Sequence, residues 1–137
     1  MSRRILYITF LILIIPLSAH SQGRKTVKKK QIQSQTVYEY FLEEGRKDPV
    51  VERIEVFDTL GNVIELKEFN SEGIIKNWQK FAFDEDDNQI EEIVLDARGR
   101  QQERTVWIYK EDLLIEKKYF DHKDRMVKRK EYKYKYR

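Results

Sequence analysis

From Thr36 onward, apolar and polar positions alternate in short runs separated by clusters of Asp, Asn and Gly. Ile64-Glu65-Leu66-Lys67 is typical, and a period of two is that of an extended strand with side chains on opposite faces. The pattern predicts eight strands, at 36–42, 50–57, 63–69, 74–83, 89–95, 103–109, 113–120 and 126–136. Counting by alternation puts Ile54, Val56, Ile64, Leu66, Val94, Val106, Ile108, Leu113 and Ile115 in one phase. Phe57, Phe69, Phe81, Phe83, Ile93, Leu95, Trp107, Tyr109 and Phe120 fall in the other. Both phases mix apolar and charged residues, whereas a barrel or sandwich presents one plainly polar face. The expected fold is all-β: an antiparallel meander of about eight strands, with an open, curled sheet favoured over a closed barrel.

The breaks between strands repeat. Phe57-Asp58-Thr59-Leu60-Gly61-Asn62 is the clearest copy, followed by Phe69-Asn70-Ser71-Glu72-Gly73 and Phe83-Asp84-Glu85-Asp86-Asp87-Asn88. Leu95-Asp96-Ala97-Arg98-Gly99-Arg100 and Phe120-Asp121-His122-Lys123-Asp124-Arg125 complete the set, and Tyr109-Lys110-Glu111-Asp112 is a shorter copy. The leading residues stand 12, 14, 12, 14 and 11 apart, so the domain reads as hairpin repeats of mostly 12–14 residues. Each Asp or Asn is placed to accept hydrogen bonds from backbone amides ahead of it. The residue three further on is placed for a left-handed conformation. That role falls to Gly61, Gly73 and Gly99, and to Asp87 and Asp124, since Asp tolerates this conformation better than most residues. Asp58, Gly61, Asn70, Gly73, Asp84, Asp96, Gly99 and Asp121 are therefore the expected turn residues.

These units resemble the tyrosine–aspartate (RHS-type) repeats of bacterial secreted proteins, whose unit is Tyr-Asp-x-x-Gly-Asn or Tyr-Asp-x-x-Gly-Arg. The resemblance covers about residues 50–130, with Phe replacing Tyr at most leading positions and Gly lost at two turns. It implies β-strand arrays that form shells, spirals or adhesive surfaces, without catalysis by the repeats. It also implies an alternative role, an immunity or antitoxin-like companion protein. At 137 residues the chain is too short to enclose a cargo.

The first 21 residues have the pattern of an export signal: Arg3 and Arg4, an apolar run from Ile5 to Ile15, Pro16, then Ala19-His20-Ser21. The 11-residue run is short of the roughly 18–20 residues of a membrane-spanning helix, so cleavage before Gln22 is expected, leaving no spanning segment. The alternative is an uncleaved anchor, favoured by the basic cluster from Arg24 to Lys30. Residues 22–35 are polar and basic and read as a flexible linker to a β-repeat domain at 36–137. The expected location is the periplasm or the exterior.

The formal charge of +3 hides a segregation. Residues 22–30 carry five basic residues and no acidic one, 123–137 carry a net +6, and 31–122 a net −10. The chain has no cysteine, hence no disulfide, thiol nucleophile or thiolate metal site. His122 stands alone in a turn. Asp84, Asp86 and Asn88 match the first three ligand positions of a calcium loop, but Gln89 and Leu95 fail the required Gly and Glu. A carboxylate pair for glycoside hydrolysis needs a walled cleft, which short hairpins do not supply, so a small hydrolase ranks last. No catalytic residue, cofactor or metal is implied. A single layer of about 100 residues buries little, so a protein or glycan partner at the cell envelope, or self-association, is expected. The aromatic residues proposed for such a surface are Trp78, Trp107, Tyr109, Tyr132, Tyr134 and Tyr136. In the last strand, alternation separates the three tyrosines from Lys133, Lys135 and Arg137. That counts against a nucleic-acid platform, which needs both on one side. The reading preferred there is an edge strand whose tyrosines pack and whose lysines block aggregation, ahead of polyanion binding or sugar stacking.

Overall fold

The structure, a computed structural model, describes residues 23–42 and 45–137. The expected export signal and its cleavage point lie outside the described residues. Eight strands form one antiparallel sheet in chain order: β1 (Ser34–Glu39), β2 (Val50–Phe57), β3 (Val63–Phe69), β4 (Ile75–Phe83), β5 (Gln89–Leu95), β6 (Gln101–Lys110), β7 (Leu113–Phe120) and β8 (Met126–Glu131). β1 and β8 do not pair, so the meander is open and has two free edges.

Five of the hairpins share one turn. Asp58 Oδ1 accepts from the amides of Leu60 and Asn62, both at 2.8 Å, while Gly61 N–H donates to Asp58 O at 3.1 Å. Asn70, Asp96 and Asp121 repeat this cage on their own turns, and Asp84 accepts from the amide of Asn88 at the same position. The residue three after each has positive φ: Gly61 85°, Gly73 78°, Asp87 70°, Gly99 78° and Asp124 60°. The sixth hairpin is a two-residue turn with Glu111 and Asp112 at φ 49° and 64°, which accounts for the short interval before Phe120.

Every pairing also contains a register shift, for instance between Val56 and Phe57 opposite Val63–Glu65. Each bulge inserts one unpaired residue, so counting by twos loses the face from one strand to the next. The two phases read from alternation therefore do not correspond to the two faces. Leu66 pairs with Glu55, whereas Ile54 pairs with Lys67 on the opposite side.

The expected linker is a second correction. Residues Arg24–Lys30 form helix α1, ended by Gln31 at φ 53°. Three lysines in its last turn suit the negative end of the helix dipole. A helix of seven residues is not stable alone. It is held because Val27 is driven into the sheet, only 1 % exposed, near Phe57. Arg24 Nε donates to Leu60 O at 3.2 Å and its guanidinium pairs with Asp87. Asn62 Nδ2 bridges Asp58 and Asp87 at 2.9 and 2.6 Å, tying the β2–β3 and β4–β5 turns together under the helix. Gln33 O then accepts from Phe57 N–H at 2.9 Å, and the chain enters β1 two residues earlier than alternation predicts. Among the described residues, the buried hydrophobic side chains are Val27, Phe57 and Leu66, and the buried polar ones Glu55 and Asn62. All belong to this corner. Elsewhere the sheet is one layer whose side chains are mostly half-buried or, along β8, exposed.

Candidate binding surface

Directly paired residues share a face, so the register assigns every side chain. One row on the front face runs Glu55–Leu66–Gln79–Val94–Glu103 across β2 to β6. Another runs Phe81–Glu92–Thr105–Tyr119–Lys128, and a third places Trp107, Lys117 and Lys130 side by side. The back face carries Ile54–Lys67–Trp78 and, further along, Glu91–Val106–Lys118–Arg129.

The aromatic residues singled out from sequence do not form one surface. Trp78 is on the back, Trp107 and Tyr109 on the front. Trp78 is also committed to the fold: its Nε1 donates to Glu65 at 2.7 Å and Lys67 Nζ lies 4.0 Å from its ring. Its ring edge would stand 3.3 Å from a Cβ at Gly99, a tight approach that adds to the strain of a side chain at that positive φ. Tyr109 O–H donates to Gln89 O at 3.2 Å, and burial followed by the charge of Asp84 raises its phenol above the ordinary range.

β8 stops at Glu131, so the last tyrosines are not the inward face of a long strand. Tyr132 N–H still donates to Ile115 O at 3.0 Å, and Tyr134 O–H reaches Leu114 O at 2.6 Å, but Tyr136 is 77 % exposed. An edge segment with one neighbour has little to hold its alternation in place.

Charge separates the faces more sharply than apolarity. On the back, Lys67 pairs with Glu65, Arg104 with Glu91, Lys118 with Glu116, and Arg129 with Glu116. On the front, Glu55, Glu68, Glu92 and Glu103 lie on β2 to β6, with Arg53 beside Glu55 and opposite Glu68, while Lys117, Lys128 and Lys130 lie together on β7 and β8. These three lysines make no ion pair among the described residues. They gather over aromatic rings instead: Lys117, Lys128 and Lys130 have Nζ at 5.1, 4.0 and 5.9 Å from the Tyr119 centroid. Lys117 is also 4.6 Å from Trp107. Burial raises the Tyr119 phenol, but the lysines outweigh it and hold the group below its ordinary value. Sequence reading missed this cluster. Its signal was present in the Asp121 turn, because that turn fixes the pairing of Tyr119 with Lys128 and Lys117 with Lys130.

The other candidates keep to turn chemistry. The acidic run at Asp84 spends its leading carboxylate on Asn88, at 2.8 and 3.1 Å, and Asp87 on Arg24 and Asn62. Among the described residues there is no group of three potential metal ligands, and no helix long and apolar enough to cross a membrane. Fold and surface thus define an all-β, open, single-sheet meander whose back face is charge-paired and whose front face gathers unpaired lysines on β7 and β8. Comparison with known protein families, curated proteins and solved structures finds no match for this chain.

Proposed function

We propose that this chain is an exported, non-catalytic β-repeat module that acts at the cell envelope or outside the cell by holding a partner on its sheet. The observation that carries the proposal is the single layer. Eight strands leave Trp107, Tyr109, Phe81 and Phe83 only half covered, and the buried hydrophobic side chains described are confined to the α1 corner. A sheet this thinly covered gains from a second surface. Its depressions are shallow and open, such as the one lined by Thr105, Tyr119, Val127 and Lys128, which favours surface recognition over catalysis in an enclosed cleft. The run of Asx-led turns supports kinship with tyrosine–aspartate repeats, and the basic–apolar start of the chain supports export.

Two measurements test the reading. Intact mass of the protein recovered from its native cells should lack residues 1–21; retention of that segment in a cytoplasmic protein would defeat the exported half. A photo-crosslinking residue at Thr105 on the front and another at Val106 on the back, in intact cells, should give adducts from the front. Silence from both positions would defeat the binding half.

A further inference from the structure

We infer that the front of β7 and β8 is a binding site for an anionic glycan, a carbohydrate polymer bearing phosphate or sulfate groups, engaged by Lys117, Lys128 and Lys130 around Tyr119. The inference deepens the binding-module reading and rests on it. Lysines on an edge strand often serve only to keep other strands away, and two features separate this cluster from that role. Lys117 is on β7, not on the edge, and the ammonium groups of Lys128 and Lys130 lie inward over the Tyr119 ring, not off the sheet. Three like charges around one ring repel one another, and no carboxylate among the described residues pairs with any of them. A bound anion removes that repulsion and completes the ion pairing already present on the back face.

The chemistry of the aromatic rings selects the kind of polyanion. Tyr119 and Trp107 are covered by lysine ammonium groups at 4.0 to 5.1 Å. Stacking of a nucleobase would require displacing those lysines, so recognition here is by charge, as suits a polymer without aromatic groups. Thr105 pairs directly with Tyr119 and adds a hydroxyl beside the cluster for a sugar hydroxyl to meet.

The test uses the chain from Gln22 to Arg137 and measures binding to heparin oligosaccharide, to a phosphorylated mannan and to uncharged dextran. The competing ligands are single-stranded DNA and phosphatidylglycerol vesicles. Wild type should bind both anionic glycans and not dextran, with affinity falling steeply as salt rises. Lys117→Gln/Lys128→Gln/Lys130→Gln should lose at least tenfold. A control with the same charge change, Lys76→Gln/Lys80→Gln/Lys123→Gln, should stay within about twofold. Single Lys117→Gln gives a smaller loss and guards against misfolding of the triple variant, which circular dichroism also checks. Equal losses in the two triple variants, or no binding to either glycan, would overturn the site. Tighter lysine-dependent binding to DNA or to vesicles would overturn the choice of a glycan. Each of these outcomes is independent of the intact-mass result, so the site and the exported reading fail separately.

Discussion

β2–β3 and β7–β8 are hairpins made from the same unit, Phe-Asp-x-x, with a left-handed residue closing the turn, yet they end in opposite states. Around β2–β3, Phe57 and Leu66 are buried, and so are Gly61 and Asn62 at the end of the turn. Along β8 every residue is exposed, including Met126 at 54 % and Val127 at 64 %. The repeat is not the source of the difference, since the cage around Asp121 matches the cage around Asp58 bond for bond in its backbone contacts. The difference comes from α1, which lies outside the repeat and supplies a second layer at one corner. Repeated turn chemistry sets register and direction; burial depends on what else lies against the sheet. The corner with a lid is where the fold is anchored, and the edge without one is where the front face is free to meet a partner.

The contrast breaks most readily at the leading aromatic. Phe57→Ala should destabilise by about 3–5 kcal/mol, as for a fully buried phenylalanine. Phe120→Ala, at the same repeat position but only half-buried and flanked by Arg104 at 4.2 Å, should lose roughly 1–2 kcal/mol. Urea unfolding of the two variants checks this, and equal losses would mean that α1 adds nothing at its corner.

Next in size is the pair Gly61→Ala and Gly73→Ala. Both residues have positive φ, so both variants carry a left-handed strain of about 1–2 kcal/mol. At Gly73 a Cβ meets nothing within 4 Å, and the strain is the whole effect. At Gly61 it would stand 2.6 Å from Arg24 O, so α1 must move or detach, and the total should rise to roughly 3 kcal/mol. Thermal melts give the difference between the variants, which isolates the docking of α1. In a chain truncated before Gln33 that difference should vanish.

The C-terminal tyrosines come third. Had they packed as one inward face, losing all three would remove several kcal/mol. With Tyr136 exposed and Tyr134 held by one hydrogen bond, Tyr132→Ser/Tyr134→Ser/Tyr136→Ser should lose only about 1–2 kcal/mol. A loss above about 4 kcal/mol would show that the tail is part of the packed sheet.

How far sequence reasoning reached follows the same division. The bounds of β2, β3, β5 and β7 follow from alternation stopped by Asx-led turns, because those signals are local and each is made by the residues that read it. Helix α1 was not legible. Val27 is one apolar residue among lysines, and only its burial against the sheet, in the depression that Phe57 also lines, makes a seven-residue helix worth forming. The faces were misassigned because a bulge looks like any other alternating residue until its partner strand is known. The Tyr119 lysine cluster needed the register across the Asp121 turn, and the tyrosine tail needed the point, Glu131, at which β8 stops pairing with β7. What remained hidden in each case was a relation between segments.

The smallest expected effect tests the anchored corner from within. Glu55 is only 5 % exposed, its Oε2 has no hydrogen-bond partner, and Arg53 Nε is 3.9 Å from its Oε1. Burial raises its pKa above 4.5, Arg53 lowers it and Glu68 raises it again, with burial dominant. The folded chain therefore holds this proton more tightly than the unfolded chain. Stability from the group is fully present below the unfolded pKa and is lost as pH rises through the folded one. Glu55→Gln cannot ionise, and its amide faces Gln35, the residue paired directly with it, whose Oε1 is also buried without a partner. The variant should thus be more stable than wild type at pH 7, by less than about 1 kcal/mol, and the advantage should shrink to nothing below about pH 4. Urea midpoints of both proteins between pH 3.5 and 7 give the curve. A variant less stable than wild type at pH 7 would mean that the Arg53 pairing outweighs the desolvation of the carboxylate, and that this corner is held by charge as well as by packing.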